Sequence, residues 1–567
     1  MRLYWIRVFF LLFFSCIIIR LFYWQGIKAE FLQAQAEDQH FADTKVSALR
    51  GKIFFSDGSV LASSSPSFSL YGLPKSIPDD QKIKTAYALA KIITDEDLTE
   101  KVNLMAKDLV NKLSQDLYWV LLKKNISVDQ KKKIEQLNLT GVGFNQASSR
   151  FYPEGSSAAH LLGFVGSDVR GTGTGYFGLE GYYEGELKGA AGSIRHEKDA
   201  LGLTILIGNF LTHDAKNGKN LVLNVDRSIQ FIAEQALKNG IEKYGAKAAS
   251  VVIMNPKTGA ILALASYPNY DPYKFSDFPK EYYRNPIVAD QYEPGSTFKV
   301  LVMAAALNEG VVKPDTKCDE CFGPVSLGGF LIRTWDNKYY PDTNMRDVIV
   351  HSDNTGMVFA GRKIGLEKFY SYLQNFGFGK QTNIDLQDEF SPDIRPRDEW
   401  KDIDLATASF GQGIAVTPIQ MVQAVATIAN GGNLMEPHVV KLVKDDKNTF
   451  EIKPKIISQV IKQSSADMVK EMMVAAVEEG EAKFFRLKGF KIAGKTGTAQ
   501  IPVAGHYDPN KTIASFVGFA PADDPKFVML VRYDQPTTSI FGAETAAPTF
   551  FEIAKQLFTY YKIAPTE

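Results

Sequence analysis

The amino terminus carries the feature that most restricts how this chain can fold. A stretch of 22 apolar and aromatic residues runs from Leu3 to Trp24, and Arg7 and Arg20 are its only charged members. A helix needs about 20 such residues to cross the hydrocarbon core of a bilayer, and arginine side chains near its ends can reach the headgroups. The stretch therefore predicts a membrane-spanning helix, with residues 1–27 as a short tip and anchor.

Two other interpretations of this segment are open. Ala34-Gln35-Ala36 has the small-residue pattern of a signal-peptide cleavage site, although it lies well beyond the apolar run. A buried core helix is the other, but it leaves the aromatic residues at both ends of the run unexplained. Arg2 precedes the stretch and Arg7 lies near its amino-terminal end, and no comparable basic cluster follows it, so the anchor interpretation keeps the amino terminus in the cytosol and exports the rest.

The composition of the remainder is that of folded, water-soluble domains. Hydrophobic residues make up 45% and charged residues 23% of the 567 residues, and at ~150 residues per domain this length predicts several domains. Lysine and arginine number 64, as do aspartate and glutamate, so no net positive charge favours a nucleic-acid partner. Three cysteines and seven scattered histidines give little material for a metal site, and neither a metal nor another cofactor is predicted.

Turn signals and periodicity divide the exported part into two regions. Residues 28–215 begin with strand-like sequence around an Asp57-Gly58 turn and include a predicted helical insertion at 80–137. Residues 216–567 open with strand patterns on either side of a predicted helix at 228–244. These patterns predict an amino-terminal domain at 28–215 and a larger domain at 216–567.

A serine at a predicted helix start is the first candidate for chemistry. Ser296-Thr297-Phe298-Lys299 precedes a strong helix-forming run, so Ser296 would lie at the amino end of the helix and Lys299 one turn later on the same face. A serine needs a base before it can attack an acyl group, and a desolvated lysine amine can serve as that base. Taken alone, the tetrapeptide also fits an ordinary capped helix.

Two further segments supply side chains that suit the same chemistry. Ser352-Asp353-Asn354 offers a second hydroxyl and a carboxamide, although it also fits an ordinary polar loop. Lys495-Thr496-Gly497-Thr498 follows a strand-like alternation, and a lysine with two hydroxyls on one strand suits recognition of a carboxylate. Gly497 would let a substrate backbone approach closely.

In this order and spacing the three segments resemble the motif set of the penicillin-recognising serine transferases. The resemblance extends to Gly411-Gln412-Gly413 in the same region. Upstream, Arg50-Gly51-Lys52-Ile53, Arg150-Phe151-Tyr152-Pro153 and Gly178-Leu179-Glu180 are similar to the amino-terminal domain of class B penicillin-binding proteins. One departure follows Ile53, where the family commonly has Asp-Arg-Asn-Gly and this chain has Phe-Phe-Ser-Asp-Gly; it concerns packing of the amino-terminal domain.

The resemblance implies a fold and a reaction. The fold is α+β, with an amino-terminal transmembrane helix, a mixed α/β pedestal domain for dimerisation or partner contacts, and a β-lactamase-like transpeptidase domain whose central antiparallel sheet is flanked by helices. The reaction is cross-linking of peptidoglycan stem peptides by a bacterial D,D-transpeptidase. The chain would be a single-pass protein of the inner (cytoplasmic) membrane with its catalytic domain outside.

The resemblance also implies the catalytic residues. Ser296 would attack the D-Ala-D-Ala carbonyl of a donor peptide, Lys299 would take its proton, and D-Ala would leave. Ser352 and Lys495 would relay a proton to the leaving amine. An amine of a neighbouring stem peptide would then resolve the acyl-enzyme, whereas β-lactams would enter the same path and stall there as inhibitors.

Substrate-binding residues follow from the same resemblance. Thr496 and Thr498 would hold the terminal carboxylate, with Gly497 between them, and Asn354 would bind the substrate amide. The backbone N–H groups of Ser296 and Thr498 would form the oxyanion hole.

Other classes share parts of this pattern. A D,D-carboxypeptidase or β-lactamase would pass the acyl group to water, a β-lactam sensor would signal, and a catalytically silent scaffold would only bind. The sequence has no obvious block for a glycosyltransferase domain, so the resemblance implies a polytopic membrane glycosyltransferase partner. The septal or elongation role, the acceptor amine, the oligomeric state and the β-lactam selectivity are left open.

Two local patterns suggest different chemistry. The segment from Gly489 to Thr496 matches the phosphate-loop pattern G-x-x-x-x-G-K-T, but Gly497 follows where a helix should begin. Cys318 and Cys321 form an isolated C-x-x-C, for which a local disulfide or two thiols fit better than zinc.

Overall fold

The computed structural model describes residues 2–94, 99–168, 172–197, 210–503 and 506–565. The chain divides into two compact units. The smaller unit comprises residues 1–50, 65–149 and 188–218, and the larger comprises residues 51–64, 150–187 and 219–567. Residues 28–215 therefore contribute segments to both units.

The apolar amino terminus forms the predicted helix. Arg2–Phe22 is α-helical and continues as a π-helical turn over Tyr23–Ile27. Within the 26 residues Arg2–Ile27, the most apolar window of 18 residues has a mean hydropathy of 2.2, and none of that window is buried. The buried-core interpretation is therefore wrong, and the helix fits a single-pass membrane anchor.

The smaller unit packs helices against paired strands around one apolar core. Leu89, Leu109 and Leu113 of its helices are fully buried there. The prediction of a purely helical segment at 80–137 is wrong in one part, because Val120–Ile126 is a strand that pairs with the second half of Val60–Gly72. The strand forms because its apolar residues Leu122 and Ile126 complete the core that the helices leave open.

The elements that lie wholly or mainly in the smaller unit are the helices Arg2–Phe22, Ala29–His40, Asp79–Ile93, Thr99–Leu113 and Val128–Glu135 and the strands Phe41–Val46, Val120–Ile126, Val142–Phe151, Gly192–Glu197 and Phe210–His213.

An antiparallel five-stranded sheet forms the centre of the larger unit. Its spatial order is Ile261–Tyr267, Ala248–Met254, Phe527–Asp534, His506–Ala520 and Ala493–Val503. The predicted central antiparallel sheet flanked by helices is confirmed, and the strand that carries Lys495 lies at its edge.

Both faces of this sheet are covered, which explains the unbroken apolar run at its centre. Val251 and Ile253 pack into the cluster formed with the helices Arg227–Tyr244 and Ala546–Tyr560. Val252 and Met254 point the other way, into the main core of the unit. A strand buried on both faces needs apolar residues at every position, so strict alternation with polar residues is absent here.

The helix Lys299–Asn308 runs through the main core. Every residue from Lys299 to Leu307 is buried. Because the sequence after Lys299 is apolar on all sides, the helix has no face that prefers water, and only a fully internal position satisfies it. The lysine at its first turn is thereby carried into the interior.

The remaining elements of the larger unit are the helices Ala159–Leu162, Gly178–Tyr182, Glu184–Leu187, Pro286–Ala289, Met345–Val350, Asn354–Ile364, Leu366–Asn375, Asp402–Ala408, Pro418–Ala429 and Gln463–Glu478 and the strands Ile53–Phe54, Phe164–Ser167, Gly173–Tyr176, Asn220–Leu223, Val325–Leu327, Phe330–Ile332, Asn433–Met435, Val440–Lys444, Thr449–Glu451 and Ile456–Gln459. The strand Val60–Gly72 begins in the larger unit and ends in the smaller.

A buried ion pair joins three distant segments within the larger unit. Arg150 Nε donates to Glu180 Oε1 at 2.6 Å, and Arg150 Nη1 donates to the carbonyl of Gly51 at 2.6 Å. The side chains of Arg150 and Glu180 are 3% and 0% exposed. These residues belong to the three upstream segments that carried the class B resemblance, and the structure shows that they meet.

Glu180→Ala is expected to lower the free energy of unfolding by about 3–5 kcal/mol, because it leaves a buried guanidinium without its carboxylate. The matched control is Glu154→Ala, which breaks the exposed pair with Arg227 and should cost less than about 1 kcal/mol. Denaturant unfolding of the larger unit, followed by tryptophan fluorescence, measures both changes. Equal losses in the two variants would contradict the structural role given to Arg150.

Candidate active site

A single cavity of about 1020 Å³ in the larger unit collects residues from all three predicted motifs. The predicted residues that line it are Ser296, Ser352, Asn354, Thr496 and Thr498. It is called the Ser296 cavity below. Lys299 and Lys495 are buried, and their side chains contact residues that line it.

Ser296 is held on a tight turn at the start of the central helix. Gly295–Phe298 is a turn of 3₁₀-helix, and the α-helix begins at Lys299, so the predicted helix starts with a tighter turn than expected. Ser296 is half-buried, whereas Thr297 and Phe298 on the same turn are buried. The packing of these two neighbours fixes the backbone that presents the Ser296 hydroxyl.

Gly411 supports this turn from outside it. Gly295 has a φ of +56°, and its N–H donates to the carbonyl of Gly411 at 3.0 Å. Gly411 itself has a φ of +82°, and a Cβ there would lie 2.1 Å from the carbonyl oxygen of Gly295. Both the conformation and the close approach require glycine at 411.

The Lys299 amine is surrounded by acceptors of the second motif. Its Nζ donates to the carbonyl of Ser352 at 2.6 Å, to Asn354 Oδ1 at 2.7 Å and to Ser352 Oγ at 3.2 Å. The amine thus connects the helix that carries Ser296 with the Ser352-Asp353-Asn354 segment. A neutral amine in this position can also accept the proton of the Ser352 hydroxyl.

The environment makes this amine a base at neutral pH. Burial, with repulsion from Lys495, lowers the pKa of Lys299 from 10.5 to about 7, while attraction to Asp353 and Glu481 opposes the shift. A lysine with its ordinary pKa is neutral in only about one molecule in a few thousand at pH 7. At a pKa of about 7 roughly half of the molecules carry a neutral amine that can accept a proton.

Ser352 and Asp353 fix the backbone of the second motif, and the sequence did not reveal the role of Asp353. Ser352 has a φ of +56°, an uncommon conformation for a residue with a side chain, which directs both its carbonyl and its hydroxyl at the Lys299 amine. Asp353 caps the following helix by accepting from the N–H groups of Thr355 at 2.8 Å and Gly356 at 3.2 Å. The cap anchors the turn on which Ser352 and Asn354 are presented.

The third motif forms a hydrogen-bonded chain that ends on an unpredicted carboxylate. Lys495 Nζ donates to Thr496 Oγ1 at 3.0 Å, and Thr496 Oγ1 donates to Glu481 Oε2 at 2.6 Å. Burial lowers the pKa of Lys495, and the charge of Glu481 opposes that shift. Glu481 follows the helix Gln463–Glu478 in a loop without a recognisable motif, so no sequence signal identified it.

Gly497 is closely packed on the side where a side chain would lie. A Cβ at this position would lie 2.5 Å from Ser515 Oγ and 2.7 Å from Thr297 Cγ2. The space beside Gly497 is therefore filled by the neighbouring strand and the Ser296 turn, and its small size permits their close packing. Thr498, the next residue, accepts a hydrogen bond from the N–H of Gly542 at 3.0 Å.

Aromatic residues that the sequence did not single out also line the Ser296 cavity. The rings of Trp335 and Phe541 meet edge to face with 5.9 Å between centroids, and Tyr340 stacks on His351 at 4.7 Å. Phe484 is 83% exposed. These rings give part of the cavity wall an apolar surface.

The two alternative local patterns are resolved by the structure. Lys495 and Thr496 lie inside the strand Ala493–Val503, so the helix that a phosphate loop requires does not begin there, and that interpretation is wrong. Cys318 and Cys321 form a disulfide and are buried. Of the alternatives that the sequence left open for this pair, the disulfide is confirmed.

Comparison with known proteins agrees with this geometry. Residues 249–556 match the penicillin-binding protein transpeptidase domain, and residues 45–223 match the penicillin-binding protein dimerisation domain. The chain is 34% identical to stage V sporulation protein D of Bacillus subtilis over 571 residues, covering 100% of this chain and 86% of that protein. It is 30% identical to the peptidoglycan D,D-transpeptidase FtsI of Escherichia coli K12, covering 95% of this chain and 88% of that protein.

A solved structure shows the same architecture. Penicillin-binding protein 2X from Streptococcus thermophilus superposes with a TM-score of 0.73 at 26% identity, over 92% of this chain and 80% of that one. The chain belongs to the class B penicillin-binding proteins. The α+β fold and the class of serine D,D-transpeptidase predicted from the motifs are confirmed at the level of the family.

Proposed function

We propose that the Ser296 cavity cross-links peptidoglycan stem peptides through an acyl-enzyme on Ser296. The observation that carries this proposal is the buried Lys299 amine, whose pKa of about 7 leaves it able to take a proton, one helical turn after a half-buried serine on the cavity wall. Ser296 attacks the D-Ala-D-Ala carbonyl, and its proton goes to the Lys299 amine. The bond to the terminal D-Ala then breaks, and the leaving nitrogen takes up a proton.

The other predicted residues have matching parts in this reaction. Ser352 lies within hydrogen-bond distance of the Lys299 amine and passes a proton onward to the leaving nitrogen, with Lys495 assisting. Asn354 binds the substrate amide while its Oδ1 holds Lys299. The backbone N–H groups of Ser296 and Thr498 stabilise the oxyanion.

Recognition of the donor's terminal carboxylate falls to the third motif in this proposal. Thr496 and Thr498 line the cavity, and the buried amine of Lys495 lies behind Thr496. A hydroxyl backed by an ammonium group suits a carboxylate by charge and hydrogen bond together. The Gly497 between them keeps the strand close to the Ser296 turn, which supports the placement of both groups at one reacting carbonyl.

The proposal extends to the membrane topology. Arg2 and Arg7 lie in the amino-terminal part of the apolar helix, which favours a cytosolic amino terminus in the inner membrane and an extracytoplasmic catalytic domain. We further assign residues 1–27 to the anchor, 28–215 to the pedestal and 216–567 to the transpeptidase domain. In the pedestal range, the segments 51–64 and 150–187 form part of the same compact unit as the transpeptidase residues.

Benzylpenicillin is expected to acylate Ser296, because the β-lactam carbonyl reacts with the same activated hydroxyl as the donor peptide. Mass spectrometry of the labelled, digested chain should place the added mass on the peptide that contains Ser296, and Ser296→Ala should abolish it. Ser326→Ala, at an exposed serine on a nearby part of the chain, should leave labelling intact. An adduct on any other peptide would refute the assignment of the nucleophile.

The rate of acylation is expected to rise with pH through about 7 and then level off, because the neutral form of Lys299 accumulates as pH passes its lowered pKa of about 7. Below that pH the rate should fall about tenfold per unit. Lys299→Arg, which stays protonated, should slow acylation by about 10²–10⁴-fold. Stopped-flow measurement of benzylpenicillin acylation gives the profile.

The matched control for Lys299 is Lys338→Arg, at an exposed lysine that lines the same cavity, and it should keep the wild-type profile. A rate independent of pH across this range in the wild-type chain would show that Lys299 is not the base.

A polytopic membrane glycosyltransferase is the proposed partner. The motive is that the range 28–215 holds none of the predicted catalytic residues, although it is far longer than a tether needs. Exchanging residues 3–24 and 65–149 for unrelated sequence should abolish co-purification with the glycosyltransferase from native membranes. The segments 51–64 and 150–187 are kept because they belong to the larger unit.

Penicillin labelling of Ser296 in the exchanged chain provides the control, since it shows that the larger unit is still folded. Undiminished co-purification in a chain that still labels would exclude the exchanged segments as the contact.

A further inference from the structure

The carboxylate of Glu481 lies beside Thr496, which is proposed above to bind the carboxylate of the ligand. Its Oε2 accepts the Thr496 hydroxyl at 2.6 Å, and Glu481 is one of the residues that line the Ser296 cavity. Neither the motif set nor the reaction proposed above uses this side chain.

The Thr496 hydroxyl has a single proton to give. It already accepts from Lys495 Nζ at 3.0 Å, so its remaining donor capacity is directed at Glu481. A ligand carboxylate that approaches Thr496 therefore meets an oxygen whose proton is engaged by another carboxylate.

The charge of Glu481 disfavours an anionic ligand, as does its hydrogen bond with Thr496. Glu481 attracts the buried Lys495 and Lys299 amines strongly enough to oppose the lowering of the pKa of each. Part of the positive potential available to an anionic ligand is therefore already balanced by the protein. Two carboxylates at one hydroxyl also repel each other, and this repulsion is strong at the edge of a desolvated site.

We propose that Glu481 is a specificity-determining residue that competes with the ligand carboxylate for the Thr496 hydroxyl. It lowers the reactivity of the site toward acyl donors that carry a carboxylate, relative to neutral acyl donors of the same shape. This inference rests on the proposed function of the Ser296 cavity. It concerns the relative reactivity toward ligands with and without a carboxylate, whereas acylation of Ser296 itself belongs to the proposed function.

The test compares two ligands on one set of full-length variants in detergent. Benzylpenicillin carries the carboxylate and its methyl ester does not, while both present the same β-lactam to Ser296. Second-order rate constants for acylation are measured for each, and the ratio of acid to ester is the readout. Effects on the nucleophile, the base or the fold act on both ligands, whereas competition at Thr496 acts on the acid alone.

Glu481→Gln keeps an acceptor for the Thr496 hydroxyl and removes the charge. The ratio of acid to ester is expected to rise about 3- to 30-fold, as expected for removal of a like charge from one side of a shared hydroxyl. Glu481→Ala removes the acceptor as well and should raise the ratio at least as far. Glu544→Gln changes another glutamate that lines the same cavity, and its ratio should stay within about twofold of wild type.

Three outcomes would overturn the inference. The first is a ratio that stays unchanged or falls in both Glu481 variants, the second is an equal rise in Glu544→Gln, and the third is loss of reaction with the ester as well as the acid in both Glu481 variants. The last outcome would mean that Glu481 serves the site regardless of ligand charge. Failure of the wild-type chain to form any Ser296 adduct with either ligand would instead refute the proposed function.

Discussion

Burial of one lysine amine holds the catalytic region of the larger unit together. The helix that begins at Lys299 is apolar on all sides and can only lie inside the core, so the amine enters the interior with it. A buried amine must find acceptors, because an unsatisfied polar group in the interior is costly. Ser352 and Asn354 provide them, and the left-handed backbone of Ser352 and the helix cap by Asp353 accompany these contacts.

The same burial sets the chemistry of the cavity. Two buried lysines, Lys299 and Lys495, lie close enough that the charge of one disfavours the charge of the other. Glu481 reduces this repulsion and contacts the third motif through Thr496. The protonation state of Lys299 therefore depends on Lys495 of a strand, Asp353 of a helix cap and Glu481 of a loop.

Part of this arrangement could be predicted from the sequence. Ser296, Lys299 and Lys495 belong to short patterns in which a helix turn or a strand fixes the spacing of the side chains. Local sequence is enough to predict such spacing. The run after Lys299 predicted a helix for the same reason. Glu481 could not be found in this way, because its contact with Thr496 depends on how a loop returns to the sheet.

Two other features show the same limit. Val120–Ile126 carries apolar residues within a lysine-rich tract and resembles a helix locally, yet pairing with Val60–Gly72 makes it a strand. Gly497 packs against Ser515 and Thr297, which come from other elements, and its residue type alone did not reveal these neighbours. Such contacts are tertiary, and no window of sequence contains them.

The contacts among Arg150, Glu180 and Gly51 limit how this chain can be truncated or substituted. Residues far upstream of the catalytic motifs are part of the larger unit. Ile53–Phe54 pairs with Asn220–Leu223 in one sheet, and Arg150 donates a hydrogen bond to the carbonyl of Gly51. A chain cut near residue 216 would leave that sheet edge without its partner strand. Substitutions in residues 51–64 and 150–187 can therefore disturb the folding of the larger unit while every residue of the Ser296 cavity is unchanged.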